Sequence, residues 1–187
     1  MQNFDKETVE VLLSLEKTQE EFWNIDRQTA NFINMLIKST NSKSALEIGT
    51  SNGYSGIWIA HALKETNGHL TTIEFWDKRL NVAIENFKKC KVSNIITPKL
   101  GSDKDVLIDL QNEQFDFVFI DANKLEYLDY FKLIDPILVK GGLILADNVI
   151  SHAKKVKPYL DTILNHPNYQ SELLNFQDGL LISRKEK

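Results

Sequence analysis

Residues 44–56 read SALEIGTSNGYSG. The apolar run 44–48 predicts a buried strand, and apolar side chains recur at helical spacing from residue 54 to residue 63. The glycine-rich turn between them allows the backbone to approach a ligand closely. A strand, a tight turn and a helix in this order predict the first βα unit of an open, doubly wound sheet.

The same alternation extends over most of the chain. Short apolar runs predict five parallel strands, at Ser44–Ile48, His69–Glu74, Ile95–Lys99, Phe115–Ile120 and Leu143–Ala146. Helical spacing predicts helices at Tyr54–Leu63, Lys78–Lys89, Asp103–Leu110, Leu125–Leu138 and Ala153–Leu164, and an Asp-Gly turn predicts a final hairpin of Tyr169–Phe176 and Leu180–Ser183. We therefore expect an α/β fold with a doubly wound, Rossmann-like, seven-stranded sheet. This sheet should be mostly parallel with an antiparallel C-terminal hairpin strand, and helices should cover both faces.

Length and composition predict one domain. The 187 residues are 42% hydrophobic and 26% charged, which is enough to bury a single sizeable core. We expect residues 1–187 to form one domain, in which residues 1–40 contribute two helices, at Lys6–Phe22 and Arg27–Lys38. These helices are expected to cap the sheet or the mouth of the active site.

Charge and targeting signals argue against several classes of partner. The formal net charge is −4, whereas a nucleic-acid-binding domain usually presents a basic face. No signal peptide and no run of about 18 apolar residues is visible, so we expect no export and no membrane partner. The single cysteine, Cys90, cannot form an internal disulfide, which fits a reducing, cytoplasmic location.

The glycine turn has the wrong spacing for two common nucleotide sites. Gly49, Gly53 and Gly56 do not form the G-x-G-x-x-G pattern of dinucleotide sites, and no P-loop lysine follows for a triphosphate. Glu47, at the end of the first strand, would repel pyrophosphate but would tolerate a sulfonium or an ammonium group. These features favour a cationic nucleoside as the ligand.

Acidic side chains follow the next two strands. Glu74 ends the second strand, where an acid can accept hydrogen bonds from both ribose hydroxyls. Gly101, Ser102 and Asp103 follow the third strand and open a helix, so the helix amides and the Asp103 carboxylate could meet an adenine edge. The alternative for Asp103 is an N-cap of that helix.

Three oxygen-bearing side chains follow the fourth and fifth strands. Asp121 ends the fourth strand, and Asp147 and Asn148 end the fifth, so neighbouring parallel strands bring them to one edge of the sheet. Two carboxylates and an amide suit Mg²⁺, Mn²⁺ or Ca²⁺ rather than Zn²⁺. The alternative is that these residues only turn the chain and cap the next helix. Lys124 follows closely enough to reach the same pocket.

These motifs together resemble the catechol and caffeoyl-CoA O-methyltransferases, which use S-adenosylmethionine. The similar segments are Leu46–Ser55 with Glu74, Phe119–Lys124, Gly141-Gly142, Ala146–Val149 and Asp178–Leu180, within about residues 25–185. The resemblance implies a class I methyltransferase that acts on a hydroxyl of a small, catechol-like aromatic acceptor. It also implies a homodimer.

The resemblance, together with the residues above, implies a set of site residues. The donor site would contain Glu47, Gly49, Thr50, Ser51, Gly53, Tyr54, Ser55, Glu74, Gly101, Ser102, Asp103 and Asp121. The metal would be held by Asp121, Asp147 and Asn148, and Lys124 would take the proton from the acceptor hydroxyl.

Two other functions stay open. A metal-independent methyltransferase would use Asp121 and Asn148 only for hydrogen bonding, and it would be insensitive to chelators. A non-catalytic S-adenosylmethionine-binding domain would lack an acceptor pocket, and the presence of Lys124 argues against it.

Aromatic residues near the expected site have weaker assignments. Trp23 could line the mouth of the site or pack internally, and His152 could approach the acceptor; the sequence decides neither. Trp58 and Trp76 are predicted to pack on helix faces.

Overall fold

A seven-stranded sheet organises the computed structural model, which describes residues 4–187. Its strands are β1 (Ser44–Ile48), β2 (His69–Glu74), β3 (Ile96–Leu100), β4 (Phe115–Ile120), β5 (Leu138–Ala146), β6 (Tyr169–Leu174) and β7 (Leu180–Lys185). The strand order is β3-β2-β1-β4-β5-β7-β6, in which β1 to β5 are parallel and β7 runs antiparallel to both neighbours. This order confirms the predicted doubly wound sheet with an antiparallel strand in its C-terminal hairpin.

Helices cover both faces of the sheet. They are α1 (Lys6–Glu16), α2 (Gln19–Phe22), α3 (Arg27–Thr40), α4 (Tyr54–Thr66), α5 (Asp77–Lys89), α6 (Asp103–Asp109), α7 (Tyr127–Ile134) and α8 (Ala153–Ile163). One hydrophobic core contains Trp58 of α4, which is buried as predicted, and the other contains Tyr127 of α7. Strand β1 supplies both cores because its side chains alternate, with Ala45 in the first and Leu46 in the second.

Strand β5 is longer than the sequence predicts. It begins at Leu138 rather than Leu143. Its pairing with β4 is irregular, because Phe115 pairs with Leu138 whereas Phe117 already pairs with Leu143. Gly141 takes a φ of 83° inside this irregular segment, a value that other residues disfavour. The glycines therefore bend the strand rather than precede it.

Two predicted helices are interrupted. The predicted helix Lys6–Phe22 divides into α1 and α2, and the Asn24 side chain donates to the Leu15 carbonyl at 3.0 Å near the end of α1. Between Leu125 and Leu138, α7 is flanked by 3-10 turns at Lys124–Glu126 and Asp135–Ile137. A proline at the start of the second turn cannot continue the α-helical hydrogen bonds. The other predicted bounds differ from the observed ones only at their ends.

No helix within residues 4–187 is long and apolar enough to cross a membrane. Cys90 is a free, buried thiol at the end of α5. Burial raises the pKa of this thiol to about 11, so it stays neutral at physiological pH.

Candidate active site

A cavity of about 920 Å³ opens at the carboxyl ends of the parallel strands. The strand order reverses between β1 and β4 at this edge, and open α/β sheets bind ligands at such a point. The predicted site residues in its lining are Gly49, Thr50, Ser51, Ser55, Glu74, Ser102, Asp103, Asp121, Lys124, Asp147 and Asn148. The predicted residues outside its lining are Glu47, Gly53, Tyr54 and Gly101.

Gly49 fixes the path of the turn after β1. Its φ of 101° disfavours side chains, and a β-carbon there would lie 2.1 Å from the Asp121 carbonyl oxygen. The backbone N–H groups of Gly49 and Thr50 both donate to the Ile73 carbonyl, at 3.0 Å each. The turn is therefore wedged between the ends of β2 and β4, and only glycine fits at its first position.

Glu74 is held at the cavity wall by two backbone donors. Its carboxylate accepts hydrogen bonds from the Ser51 N–H at 2.8 Å and from the Trp76 N–H at 2.9 Å. The residue is only 8% exposed, so packing restricts its side chain to this position. The carboxylate keeps lone pairs that can accept hydrogen bonds from a ligand, as the predicted ribose contact requires.

Glu47 lies beneath the glycine turn. It is fully buried and accepts hydrogen bonds from the Ser55 and Thr72 hydroxyls, at 2.6 Å each. The Thr72 hydroxyl also lies 2.5 Å from the Thr50 hydroxyl. Burial raises the pKa of Glu47 to about 7, and the hydrogen bonds from the two hydroxyls act in the opposite direction. Glu47 thus joins β1, β2 and α4 through a polar network that supports the turn from below.

Tyr54, Gly53 and Gly101 shape the site from outside the cavity. Tyr54 is buried in the first turn of α4, and its hydroxyl donates to the Glu16 carboxylate of α1 at 2.8 Å. A β-carbon at Gly53 would lie 2.7 Å from the Phe87 ring, and Gly101 forms the bend before α6. Contact between these three residues and the donor stays a prediction.

Asp103 faces the cavity from the first turn of α6. Ser102 holds the N-cap position, so Asp103 is not the cap that the alternative interpretation required. Its carboxylate instead accepts a hydrogen bond from the Tyr130 hydroxyl at 2.7 Å. Burial raises the pKa of Asp103 to about 6; the Tyr130 hydrogen bond lowers it, and the Glu74 and Glu126 carboxylates raise it. A carboxyl group that can change its protonation state near neutral pH therefore lies in the cavity wall.

Four polar side chains form a charged cluster at the ends of β4 and β5. Lys124 Nζ lies 2.6 Å from Asp121 Oδ1 in a mostly buried ion pair. Asp147 is 5% exposed; burial raises the pKa of its carboxyl group well above the usual range, and the charge of Asp121 raises it further. Asn148 takes a left-handed φ of 60°, which asparagine tolerates better than most residues. The predicted metal ligands and the predicted base thus line the same cavity.

The oxygen atoms of this cluster suit a hard divalent cation. The Lys124 ammonium group pairs with Asp121, and its charge also acts on Asp147, whereas Asp178 adds negative charge there. Ionising both of these mostly buried acids beside one ammonium group is costly, and a bound cation would offset that cost. Among residues 4–187 there is no group of three or more His, Cys, Asp or Glu side chains arranged to hold a metal. The predicted set contains only two such residues and the Asn148 amide, and the metal stays a prediction.

An aromatic and cationic rim of the cavity, near the end of β2, consists of Trp23, Trp76 and Arg79. The Arg79 guanidinium lies 4.4 Å from the Trp23 ring and 4.9 Å from the Trp76 ring, within cation–π range. Trp76 is 53% exposed, so its prediction as a packing residue is wrong. The position of Phe75-Trp76 directly after β2 indicates a place in the site, because residues that follow this strand lie at the ligand edge of the sheet.

The N-terminal segment closes one side of the cavity. Residues 22–26 line it, and the Ser51 hydroxyl donates to the Phe22 carbonyl at 2.7 Å, which joins this segment to the glycine turn. His152, Lys155 and Asp178 line the cavity from the segments after β5 and β6. The structure thus places both Trp23 and His152, which the sequence left open, in the cavity lining.

The fold and the site define a Rossmann-like domain with a nucleoside-type pocket beside an acidic cluster that contains a lysine. A family model described as O-methyltransferase matches residues 3–184, and the chain belongs to this family. The resemblance inferred from the motifs is therefore confirmed.

Individual relatives agree with this membership. The catechol O-methyltransferase of Niastella koreensis is 36% identical over 134 residues, which are 70% of this chain and 60% of that protein, less than two thirds of its length. The caffeoyl-CoA O-methyltransferase of Medicago sativa is 28% identical over an alignment that covers 92% of this chain and 80% of that protein. An O-methyltransferase from Bacillus cereus, crystallised in complex with SAH, has the same fold, with a TM-score of 0.87 and 24% identity over 97% of this chain and 91% of that one.

Proposed function

We propose that this protein transfers a methyl group from S-adenosylmethionine to a hydroxyl of a small aromatic acceptor, assisted by a divalent cation and by Lys124. The observation that carries the proposal is that Glu74 and the Asp121–Asp147–Asn148–Lys124 cluster line one cavity. One part of this cavity suits a nucleoside and the other suits an oxygen nucleophile. The relatives named as catechol and caffeoyl-CoA O-methyltransferases support the same reaction.

The donor would lie against the ends of β1, β2 and β3. Glu74 would accept hydrogen bonds from the ribose hydroxyls, and Asp103 would accept one from the adenine amino group. The glycine turn offers backbone and hydroxyl groups without the pattern of a pyrophosphate site. A sulfonium donor carries its own leaving group, so the protein has mainly to hold the acceptor oxygen, the methyl carbon and the sulfur in line.

The acceptor would lie against the ends of β4 and β5. A phenolic hydroxyl has a pKa near about 10, so it is mostly neutral at neutral pH and needs activation. Bound by Asp121, Asp147 and Asn148, a divalent cation would supply Lewis-acid stabilisation of the developing oxyanion, which favours acceptors with two adjacent oxygens. We therefore infer that the acceptor is a catechol-like aromatic diol.

Lys124 would accept the proton of the acceptor hydroxyl. Its Nζ is paired with Asp121, at 2.6 Å. When this carboxylate holds the cation, Lys124 loses its partner. Its ammonium group would then release a proton to solvent, and the neutral amine could act as the base. The proton would then pass from the hydroxyl to Nζ, while the oxygen would displace sulfur at the methyl carbon and leave the demethylated thioether.

The test is methyl transfer from labelled S-adenosylmethionine to catechols, flavonoids and hydroxycinnamoyl thioesters. We expect a chelator to stop transfer and added Mg²⁺ or Mn²⁺ to restore it. Asp147→Asn should weaken Mn²⁺ binding, measured by electron paramagnetic resonance, whereas Asp161→Asn, on the exposed face of α8, should not.

Two outcomes would replace the proposal with an alternative. An undiminished rate in a folded, fully chelated sample would favour the metal-independent methyltransferase, in which the Lys124–Asp121 ion pair stays intact. Tight donor binding without transfer to any acceptor would favour the non-catalytic binding domain.

A further inference from the structure

A buried tyrosine behind the cavity wall, Tyr130, contacts two carboxyl groups of the lining at once. Tyr130 Oη lies 2.7 Å from Asp103 Oδ2 and 2.8 Å from Glu126 Oε2. A phenol has one hydrogen. With both carboxyl groups ionised, only one contact is a hydrogen bond, and the other is a close approach of two oxygen atoms. Both contacts become hydrogen bonds when one carboxyl group carries a proton.

Asp103 is the carboxyl group that takes this proton more readily. Lys104 Nζ lies 2.8 Å from Glu126 Oε1, and this hydrogen bond lowers the pKa of Glu126. Burial raises the pKa of Asp103 to about 6. The groups that face Asp103 are Glu74 at the end of β2, Lys104 on its own helix, Glu126 in the turn before α7 and Tyr130 on α7. Two of these are carboxylates that disfavour a further negative charge at Asp103.

We propose that Tyr130 is a positioning residue that determines whether Asp103 accepts or donates a hydrogen bond, and so whether Asp103 can bind the adenine amino group of the donor. The role rests on the proposed function, which places adenine beside Asp103. With Asp103 ionised, the Tyr130 hydroxyl donates to it, and a charged oxygen is left to accept from the amino group. With Asp103 protonated, Asp103 donates to Tyr130 and Tyr130 donates to Glu126, so the amino group meets a neutral, weaker acceptor.

The test measures the affinity for S-adenosylhomocysteine by calorimetry from about pH 5 to about pH 7.5, with no acceptor present, together with a carbon-13 NMR titration of the Asp103 carboxyl group in the free protein. The wild-type affinity should fall by up to about tenfold towards pH 5, because the ionised form binds better. Tyr130→Phe removes a donor to the ionised form, so the midpoints of both titrations should move to higher pH. Tyr169→Phe is the matched control: it removes a hydroxyl that donates to Asp135 at 2.7 Å, away from the cavity, and it should leave both midpoints unchanged.

The outcomes separate this role from the proposed function. Asp103→Asn keeps an amide oxygen that cannot titrate, so the change in affinity centred near pH 6 should be absent from this variant. Wild-type midpoints in a folded Tyr130→Phe variant, or an unchanged transition near pH 6 in Asp103→Asn, would overturn the role of Tyr130. If the wild type binds S-adenosylhomocysteine at no pH, the proposed donor is rejected instead. The NMR midpoints would still decide whether Tyr130 controls the protonation of Asp103.

Discussion

The proposed donor half of the cavity lies at the ends of β1, β2 and β3, and the proposed acceptor half lies at the ends of β4 and β5. The two halves satisfy their carboxyl groups in opposite ways. In the donor half, Glu74 receives two backbone N–H groups, and Glu47 beneath it receives two hydroxyls. In the acceptor half, Asp121 and the mostly buried Asp147 have one ammonium group, Lys124, for two acids. The donor half is therefore arranged by the protein itself, whereas the acceptor half holds charge that the protein only partly compensates.

This difference indicates which property each half controls. Acids that are already fixed by hydrogen bonds can bind a donor with little rearrangement, so donor affinity should depend on local geometry. Acids with uncompensated charge gain most when a ligand arrives, so turnover should depend on what the acceptor half binds. Substitutions in the two halves should therefore separate affinity from rate.

The largest effect is expected at Lys124. Lys124→Met keeps much of the side-chain length and removes the proton acceptor, so methyl transfer should slow by about 10²–10⁴-fold while donor binding is retained. Lys132→Met, at an exposed lysine of α7, is the control and should keep the wild-type rate. Single-turnover rates with labelled donor measure both.

The acidity of the acceptor sharpens this prediction. A nitrocatechol is largely ionised near neutral pH, so it should need Lys124 less than catechol does, and higher pH should partly restore the catechol rate. Equal slowing of both acceptors at every pH would show that Lys124 acts through positioning or electrostatics.

The next largest effect is a change in stability at Glu47. The folded state binds the Glu47 proton at a pKa of about 7 and the unfolded state at 4.5, so the folded state binds more protons between these values. The contribution of Glu47 to the unfolding free energy should therefore fall as pH rises through this window, by up to about 3 kcal/mol. Glu47→Gln has no titrating group there, so its stability relative to the wild type should rise with pH up to about 7 and then stay constant.

Urea unfolding at several pH values measures this effect. Glu172→Gln, at an exposed position of β6, is the control and should show a difference from the wild type that does not depend on pH in this window. If the stability difference between Glu47→Gln and the wild type is equally independent of pH, Glu47 is ionised in the folded protein over the whole window.

A smaller effect is expected for donor affinity at Glu74. Glu74→Ala removes the acceptor of the ribose hydroxyls, which should weaken donor binding by roughly 1.5–3 kcal/mol, or about 10- to 150-fold. Calorimetry measures this change, with Glu85→Ala on the exposed face of α5 as the control. Wild-type affinity in a folded Glu74→Ala variant would contradict its donor role.

The smallest effect is expected at the rim. Arg79→Met removes the cation between Trp23 and Trp76, and exposed cation–π contacts contribute about 0.5–1 kcal/mol. Donor affinity should therefore fall by no more than about fivefold, and Lys78→Met, at the preceding exposed residue, should leave it unchanged. A larger loss at Arg79 would show that this side chain contacts the donor directly.

Strand ends were the most predictable part of the site. A buried parallel strand is a short apolar run, and the residue that follows it must lie at the ligand edge of the sheet. The sequence therefore predicts Glu74, Asp121 and Asp147 at this edge, and all three line one cavity in the structure. The start of β5 could not be predicted, because Gly141-Gly142 has the composition of a turn but lies within an irregular strand.

Contacts made through helices were not predictable in the same way. Tyr130 and Arg79 reach the cavity region from α7 and α5, and whether they do so depends on how each helix is rotated and packed. The position of Glu47 depends on the alternation of side chains along β1, which turns its carboxyl group into the network below the turn. A motif places a residue along the chain, but the face on which it lies is decided by packing.

Gly49 makes the two halves of the cavity mechanically dependent on each other. A β-carbon at this position would collide with the Asp121 backbone, so any larger residue at position 49 must displace the end of β4. In a mutational scan, substitutions at Gly49 should therefore lower the turnover rate, although Gly49 belongs to the glycine turn. Their effects should be non-additive with those of substitutions at Asp121. A substitution that changes acceptor preference by moving the end of β4 is then tolerated only if the glycine turn can accommodate the movement. The sequences of the two halves are therefore expected to change together.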